Sequence, residues 1–478
     1  MGHAKVVPAS VVQMELEPEE KQTNWKAIVA AASVMFLTFL CSNIVGIGQY
    51  PYMKQLDPLA TTAFFGFATS GCRFGKQDLE VFLHGALDTT PFRTPLLVSK
   101  VVGILGCAMY LCIEFPPAQK RYLLTICYLL LEIGAGIMPI IRNYLAMNSS
   151  ERDRSKAFAL FHFSIAIGVV LGPVIQLSFS GIAYPGYRLR DGVNLHVYSA
   201  PILMALVLNV ACLFIIAYLI EDPKPIPTKL KRVNSSISMS SLRKKWASMA
   251  RMEFSWPLVG VMLIEKATSS LAFTAALSVI APMMMVHYSL TGTEVVRIMS
   301  FVQMTAGTLS LVLTLLFIFA KLGQMLSSRL LFLIAFSFVL VLFGASYPWP
   351  MWSHPLPAYN SSLLTGCSAE EYTWCDTAKT SSMWTFVPVF AVVLGIGAPS
   401  MGISLDSIYS KVLGNVDQSL MQSLIVMAED IAGIVGSTYA TTLFTASGVG
   451  VLWIVNSGIV IASVVLWCVV WRHLGEYK

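Results

Sequence analysis

Apolar residues along this chain come in unbroken runs of membrane-crossing length, not in the alternation of a half-buried strand or the stripe of a surface helix. From about Lys26 to Trp471 these runs follow one another, and nearly every gap between them is short. A run of about 20 apolar residues crosses a hydrocarbon core of about 30 Å as a helix. At that depth only helices or closed barrels satisfy the backbone polar groups. The pattern predicts spans near residues 27–48, 96–114, 121–147, 157–180, 197–220, 254–285, 297–320, 328–346, 383–410, 418–446 and 450–471. A twelfth is expected near 59–82, and it is atypical. Leu59 to Cys72 is apolar, but the second half carries Arg73, Lys76, Asp78 and Glu80. Each such charge costs about 2.5–3.5 kcal/mol at mid-membrane depth. The expected fold is an all-α polytopic membrane protein: twelve transmembrane helices in two six-helix bundles, with helix 2 damaged or shortened.

Charge orients the chain. With twelve spans and a cytosolic N-terminus, 21 Lys and Arg fall on the side of the two tails and 7 on the other, alternating correctly from loop to loop. The resulting organisation is a cytosolic tail at 1–25, a bundle at 26–220, a basic cytosolic linker at 221–252, a second bundle at 253–472 with a non-cytosolic loop at 347–382, and a short tail at 473–478. The linker either binds anionic membrane lipid or is a solvated segment whose charges set topology. The net charge of +6 is thereby accounted for and gives no case for nucleic acid.

With 56% hydrophobic and 12% charged residues, the length is spent on spans, which leaves no room for a soluble catalytic domain. No G-x-x-x-x-G-K-[ST], H-E-x-x-H or suitably placed G-x-S-x-G is present, so neither ATP-driven pumping nor an enzyme is expected. No cofactor and no metal site are expected.

The two halves echo each other. Leu131-Glu-Ile-Gly134-Ala-Gly136 in span 4 is answered by Leu394-Gly-Ile-Gly397-Ala-Pro399 in span 10, and Ala166-Ile-Gly168 in span 5 by Ile431-Ala-Gly433 in span 11. A six-span repeat is a transporter signature, with the substrate site near the midplane between repeats. The plainer reading is that Gly and Ala recur wherever helices pack closely. Gly168-Val-Val-Leu-Gly172-Pro173 combines two glycines four apart with a helix-bending proline.

With these features the chain resembles the major facilitator superfamily over about residues 26–472. The Gly168–Pro173 segment looks like that superfamily's fifth-helix motif. Gly85, Asp88 and Arg93 match its loop motif after span 2 only loosely. Thr365-Gly-Cys367-Ser-Ala-Glu370, Trp374-Cys375 and Tyr409-Ser-Lys-Val-Leu-Gly414 resemble the lysosomal, ceroid-lipofuscinosis-associated branch of the superfamily. That resemblance implies an endolysosomal membrane protein, with the plasma membrane as the other placement, and transport of a small solute or chloride conduction.

Seven of nine cysteines lie in apolar spans and read as packing residues. Cys367 and Cys375 share the 347–382 loop on the oxidising side, where a disulfide is expected. Asn360-Ser-Ser is a glycosylation sequon on the same side, whereas Asn148 and Asn234 face the cytosol.

Ionisable residues inside spans are the site markers. Glu132 and Arg142 lie in span 4, Glu265 and Lys266 in span 7, Asp406 in span 10, and Glu429 and Asp430 in span 11; span 1 adds Asn43 and Gln49. In the superfamily, helices 1, 4, 7 and 10 line the central cavity, so the resemblance places Glu132, Arg142, Glu265, Lys266, Asn43 and Asp406 at a substrate or ion site. Glu132 and Glu265 are the candidate proton carriers; Arg142 and Lys266 are their counter-charges or the attractors of an anion. Plainer alternatives stand beside these: Arg142 snorkelling to the surface, Asp406 capping its helix or pairing with Lys411, and Glu429 and Asp430 as structural groups. The expected function is a secondary transporter, proton-coupled and working by alternating access. The alternatives are an anion channel on the same scaffold and a non-transporting protein with a defective helix 2.

Overall fold

The computed structural model describes residues 22–86, 91–115, 119–150, 153–190, 193–221, 255–319, 325–351, 353–413 and 419–475. The expected linker and most of both tails lie outside these, as do Asn234 and the side chains of Asp78 and Glu80.

The N-terminal half contains α1 (Trp25–Gly46), a short α2 (Gln49–Leu56), α3 (Thr62–Ala86), α4 (Arg93–Leu111), α5 (Lys120–Ala135), α6 (Met138–Asn148), α7 (Arg154–Phe179) and α8 (Ser199–Leu219). The C-terminal half contains α9 (Trp256–His287), α10 (Gly292–Phe319), α11 (Ser328–Ser346), α12 (Met383–Val392), α13 (Ala398–Leu413) and α14 (Ser419–Val470). Two small antiparallel strand pairs stand outside the helices among the described residues: β1 (Tyr187–Arg190) with β2 (Val193–Leu195), and β3 (His354–Pro355) with β4 (Lys379–Thr380).

Among the described residues ten helices are long and apolar enough to cross a membrane, counting α5 with α6 and α12 with α13 as single spans. The longest hides two. Gly448 interrupts α14 with φ 78° and ψ 177°, a backbone conformation that costs a residue with a Cβ. Two contacts show that the chain reverses there. Glu265 and Ser270 of α9 touch Ser463 and Glu429 respectively. A straight helix would hold those two partners about 50 Å apart, whereas the α9 positions are about 7 Å apart. The remaining span is α3, too polar to qualify by hydropathy.

This second span is a continuous helix of 25 residues. Its small and polar residues face the other half. A Cβ on Gly66 would stand 1.7 Å from Thr441 Oγ1. Thr69 and Ser437 share a hydroxyl bond of 3.1 Å, Ser70 donates to the Ile434 carbonyl at 2.7 Å, and Arg73 donates to the Gly433 carbonyl at 3.4 Å. Positions 66, 69, 70 and 73 form one helical face. Without a hydrophobic drive between helices in lipid, such a face of small residues and hydroxyls is what brings backbones together. The second tie between halves is α7 against α10.

Within the N-terminal half, α7 lies along α1. A Cβ on Gly168 would stand 2.9 Å from the Phe36 carbonyl, and one on Gly172 2.5 Å from Asn43 Cβ; Pro173 sits inside the same helix. The echoed segments of spans 4 and 10 are where helices depart from α geometry. Span 4 breaks between α5 and α6 at Gly136 and Ile137, and span 10 carries a π-helical turn at Val393–Gly397 between α12 and α13. Such turns concentrate at functional positions.

Candidate functional site

Two charged groups stand on the side of the membrane that the basic loops mark as cytosolic, and α3 connects them. In the C-terminal half, Lys266 of α9 reaches Glu429 of α14 at 3.1 Å and Asp406 of α13 at 3.5 Å. The lysine side chain is 12% exposed, Glu429 44% and Asp406 55%. Asp406 therefore pairs with Lys266, not with Lys411. In the N-terminal half, Glu132 of α5 meets Lys76 of α3 at 3.4 Å, both about one-third exposed. Arg73 lies one turn before Lys76, and its contact at Gly433 lies one turn beyond Glu429. The result is a band of three cations and three carboxylates running from α5 through α3 to α14, α9 and α13. Its carboxylates are only partly covered by protein, so both ion pairs are available to be exchanged for a ligand's charges.

The other expected residues lie elsewhere. Glu265 is fully buried and turned toward the second half of α14, where Ser463 donates a short hydrogen bond to Oε2. Its other oxygen, Oε1, has no partner among the described residues. Arg142, in α6 beyond the break, is exposed and stands over the Phe161 ring at 5.8 Å, away from Glu132. Asn43 is half-buried, donates to the Phe39 carbonyl of its own helix at 2.8 Å and packs on Gly172. Asp430 is exposed. Gly134 belongs to a close crossing, since a Cβ there would stand 2.6 Å from Gly103 Cα, and Gly136 caps α5. The structure thus brings together Glu132 with Lys76, and Lys266 with Asp406 and Glu429. It does not join Arg142, Glu265 or Asn43 to them.

On the opposite face the two halves are tied. The loop between α11 and α12 is built onto the C-terminal half. Cys367 and Cys375 are disulfide-bonded with their Cα atoms 5.6 Å apart, Gly366 N donates to Met285 O at 2.9 Å, and Trp374 Nε1 donates to Phe444 O at 3.1 Å. From this strap Glu371 reaches the N-terminal half. It accepts from Lys54 Nζ at 2.6 Å and from Thr62 N at 3.0 Å, with the lysine and glutamate side chains 11% and 10% exposed. Tyr372 OH and Thr62 Oγ1 add a bond of 2.6 Å. Asn360 is exposed on the same loop.

Beside this latch the N-terminal half has its own polar knot. Glu114 accepts from Asn194 Nδ2 at 2.6 Å and from His196 Nε2 at 3.2 Å. His196 Nδ1 accepts from the backbone amides of Tyr198 and Ser199, so Nε2 carries the ring hydrogen. Burial acts to raise the Glu114 pKa, but the bonds from His196 and Asn194 outweigh it and hold the carboxyl below its ordinary range.

Sequence reasoning missed Lys76, Arg73, Lys54 and Glu371, and also Glu114, Asn194 and His196. Lys76 and Arg73 read as defects of a span. Lys54, in the short α2, and Glu371 lie outside the expected spans, where a charge carries no signal until its partner is known. Lys100, within the expected span at 96–114, was a further omission; it lies inside α4 and is wholly buried.

Comparison with known proteins agrees with this architecture. The sequence model of the Major Facilitator Superfamily matches residues 31–375. The chain is similar to "Major facilitator superfamily domain-containing protein 8" of Xenopus laevis, 24% identical over 484 residues, covering 95% of this chain and 92% of that one. Among solved structures, a bacterial homologue of the human lysosomal transporter Spinster, inward-facing and unoccupied, superposes with a TM-score of 0.62 at 10% identity over 96% of this chain and 99% of that one. A D-xylose–proton symporter superposes with a TM-score of 0.64 at 13% identity over 93% and 98%. At such identities the likeness is one of fold.

Proposed function

Because the chain belongs to the Major Facilitator Superfamily, we propose that it is a secondary transporter that moves a small anionic solute across an endolysosomal membrane by alternating access, driven by protons. The observation that carries this reading is the asymmetry of its two faces. One face is closed by Lys54–Glu371 and Thr62–Tyr372, contacts that join the halves. At the other face Glu132, Asp406 and Glu429 stand partly uncovered beside Lys76 and Lys266. A carrier must be closed at one end at a time, and a polar band between repeats is where such proteins hold their solute. An anion is the fitting charge because Lys76 and Lys266 come from opposite halves: one ligand carboxylate between them would replace an internal partner of each and draw the halves together.

The endolysosomal placement is supported by the resemblance of the Cys367–Cys375 loop to the lysosomal branch, and Asn360 is its proposed glycan site. Purified protein in liposomes tests the whole reading. Saturable uptake of an organic anion, driven by an imposed proton gradient, is the expected result. Unitary anion current without coupled proton movement would overturn it in favour of a channel.

A further inference from the structure

Lys100 is a lysine where the membrane gives least reason for one. It lies in α4, is wholly buried, and is enclosed by α1, α5 and α8. Its Nζ donates to Thr38 Oγ1 at 2.8 Å and to the Gly134 carbonyl at 2.9 Å. Both acceptors are neutral. A buried ammonium without a carboxylate partner is costly, so this one is held by two dipolar contacts alone.

The second contact gives the position its meaning. α5 ends at Ala135 and the fourth span breaks there, so Gly134 O is one of the last carbonyls of a half-helix. Aligned carbonyls give that end a partial negative charge, which favours a cation. Discontinuous helices in secondary transporters use such ends to coordinate their coupling sodium ion or proton. Here the cation is already supplied, on a side chain. Lys100 also lines a small cleft of about 40 Å³, shared with Glu132, Gln49 and Asn209 and large enough to hold water.

The groups facing Lys100 leave its proton as the mobile one. From α1 comes Cys41, from α8 Cys212, and from α4 itself Cys107, all thiols buried in apolar surroundings. From α5 comes Glu132, the one carboxylate among the described residues lining the cleft, and it is bonded to Lys76.

We propose that Lys100 carries the coupling proton, its ammonium occupying at the end of α5 the place a driving cation takes in other carriers, so that losing the proton releases the break in the fourth span. The step is a proton transfer. An N–H bond at Nζ breaks, water in the cleft takes the proton, and a neutral amine is left without its charge–dipole hold on Gly134. Glu132, two residues before Gly134, then moves with the freed helix end, which links the proton to the charged band. This inference rests on the proton-driven reading above and is separable from it.

Backbone hydrogen exchange on the full chain in lipid nanodiscs tests it without a known solute. Two places are read from acidic to alkaline conditions, corrected for intrinsic exchange. These are the break, where Gly136 N and Ile137 N bond to Ile133 O and Ala135 O, and the latch, where Thr62 N bonds to Glu371. In the wild type, exchange at the break should rise roughly tenfold on deprotonation, the size expected of a charge at a helix end, and the latch should follow. Lys100→Arg, a cation that does not titrate, should hold both places protected throughout. Lys100→Met should leave both unprotected throughout. A wild-type pH response that survives in Lys100→Arg overturns the proposal even if the Met variant does not fold. A break that responds while the latch does not makes Lys100 a structural cap and also overturns it. Proton-driven uptake that persists in either variant would place the coupling proton elsewhere and leave the transporter reading standing.

Discussion

Lys266 serves two carboxylates from two different helices, so its loss should be felt more than that of any other charge in the band. Lys266→Met leaves Asp406 and Glu429 without their cation. Transport should fall at least about tenfold at normal protein abundance, whereas Asp430→Asn, at an exposed position, should leave it near wild type. Uptake assays on matched amounts of protein check both. At the opposite face, Glu114 makes a pH prediction. Its carboxyl is held below its ordinary range in the folded protein. The stability this contributes is present above the ordinary carboxyl pKa and is lost as pH falls through the depressed value. Melting temperature should therefore drop more steeply on acidification in the wild type than in Glu114→Gln. At this scale the sequence was only partly legible. Glu265 and Lys266 are neighbours in the chain and read as one site, yet successive helical positions point about 100° apart. One turns to Ser463 in the C-terminal core, the other to the open band. Hydropathy reports that a charge lies at membrane depth but not which way it points.

Among elements, α3 and the turn in α14 are the most exacting. Gly448 combines a positive φ with a close neighbour: a Cβ there would stand 3.1 Å from the Trp374 ring. Gly448→Ala should destabilise the C-terminal half by about 1 kcal/mol or more, seen as a lowered melting temperature in detergent. The spans themselves were readable because lipid demands long apolar runs and little else competes with that demand. What α3 lacked in apolarity it needed for packing. Its hydroxyls and Gly66 meet α14, and its Lys76 meets Glu132. A hydropathy window scores such a face as a defect because it cannot distinguish lipid from another helix.

For the whole molecule, the latch governs which face is open. Glu371→Gln leaves Lys54 buried without its carboxylate, a loss of about 3–5 kcal/mol to the closed face. The equilibrium should move toward opening on that side, and a cysteine placed at Thr62 should label faster with a membrane-impermeant thiol reagent. If the orphaned charge is the cause, Lys54→Met combined with Glu371→Gln should label more slowly than Glu371→Gln alone. Two-bundle architecture was legible from the repeat and the charge bias. The latch was not, because Lys54 and Glu371 are 317 positions apart and only the assembled halves bring them together.

The hairpin at Gly448 joins two membrane helices with no loop between them, and Trp374 covers the turn. A protease needs several extended, accessible residues to seat a substrate, and this junction offers none. During proteolytic turnover the last two spans should survive or disappear together. Any membrane fragment that retains Ser437 should also retain Ser463, and mass spectrometry of such fragments would expose an exception.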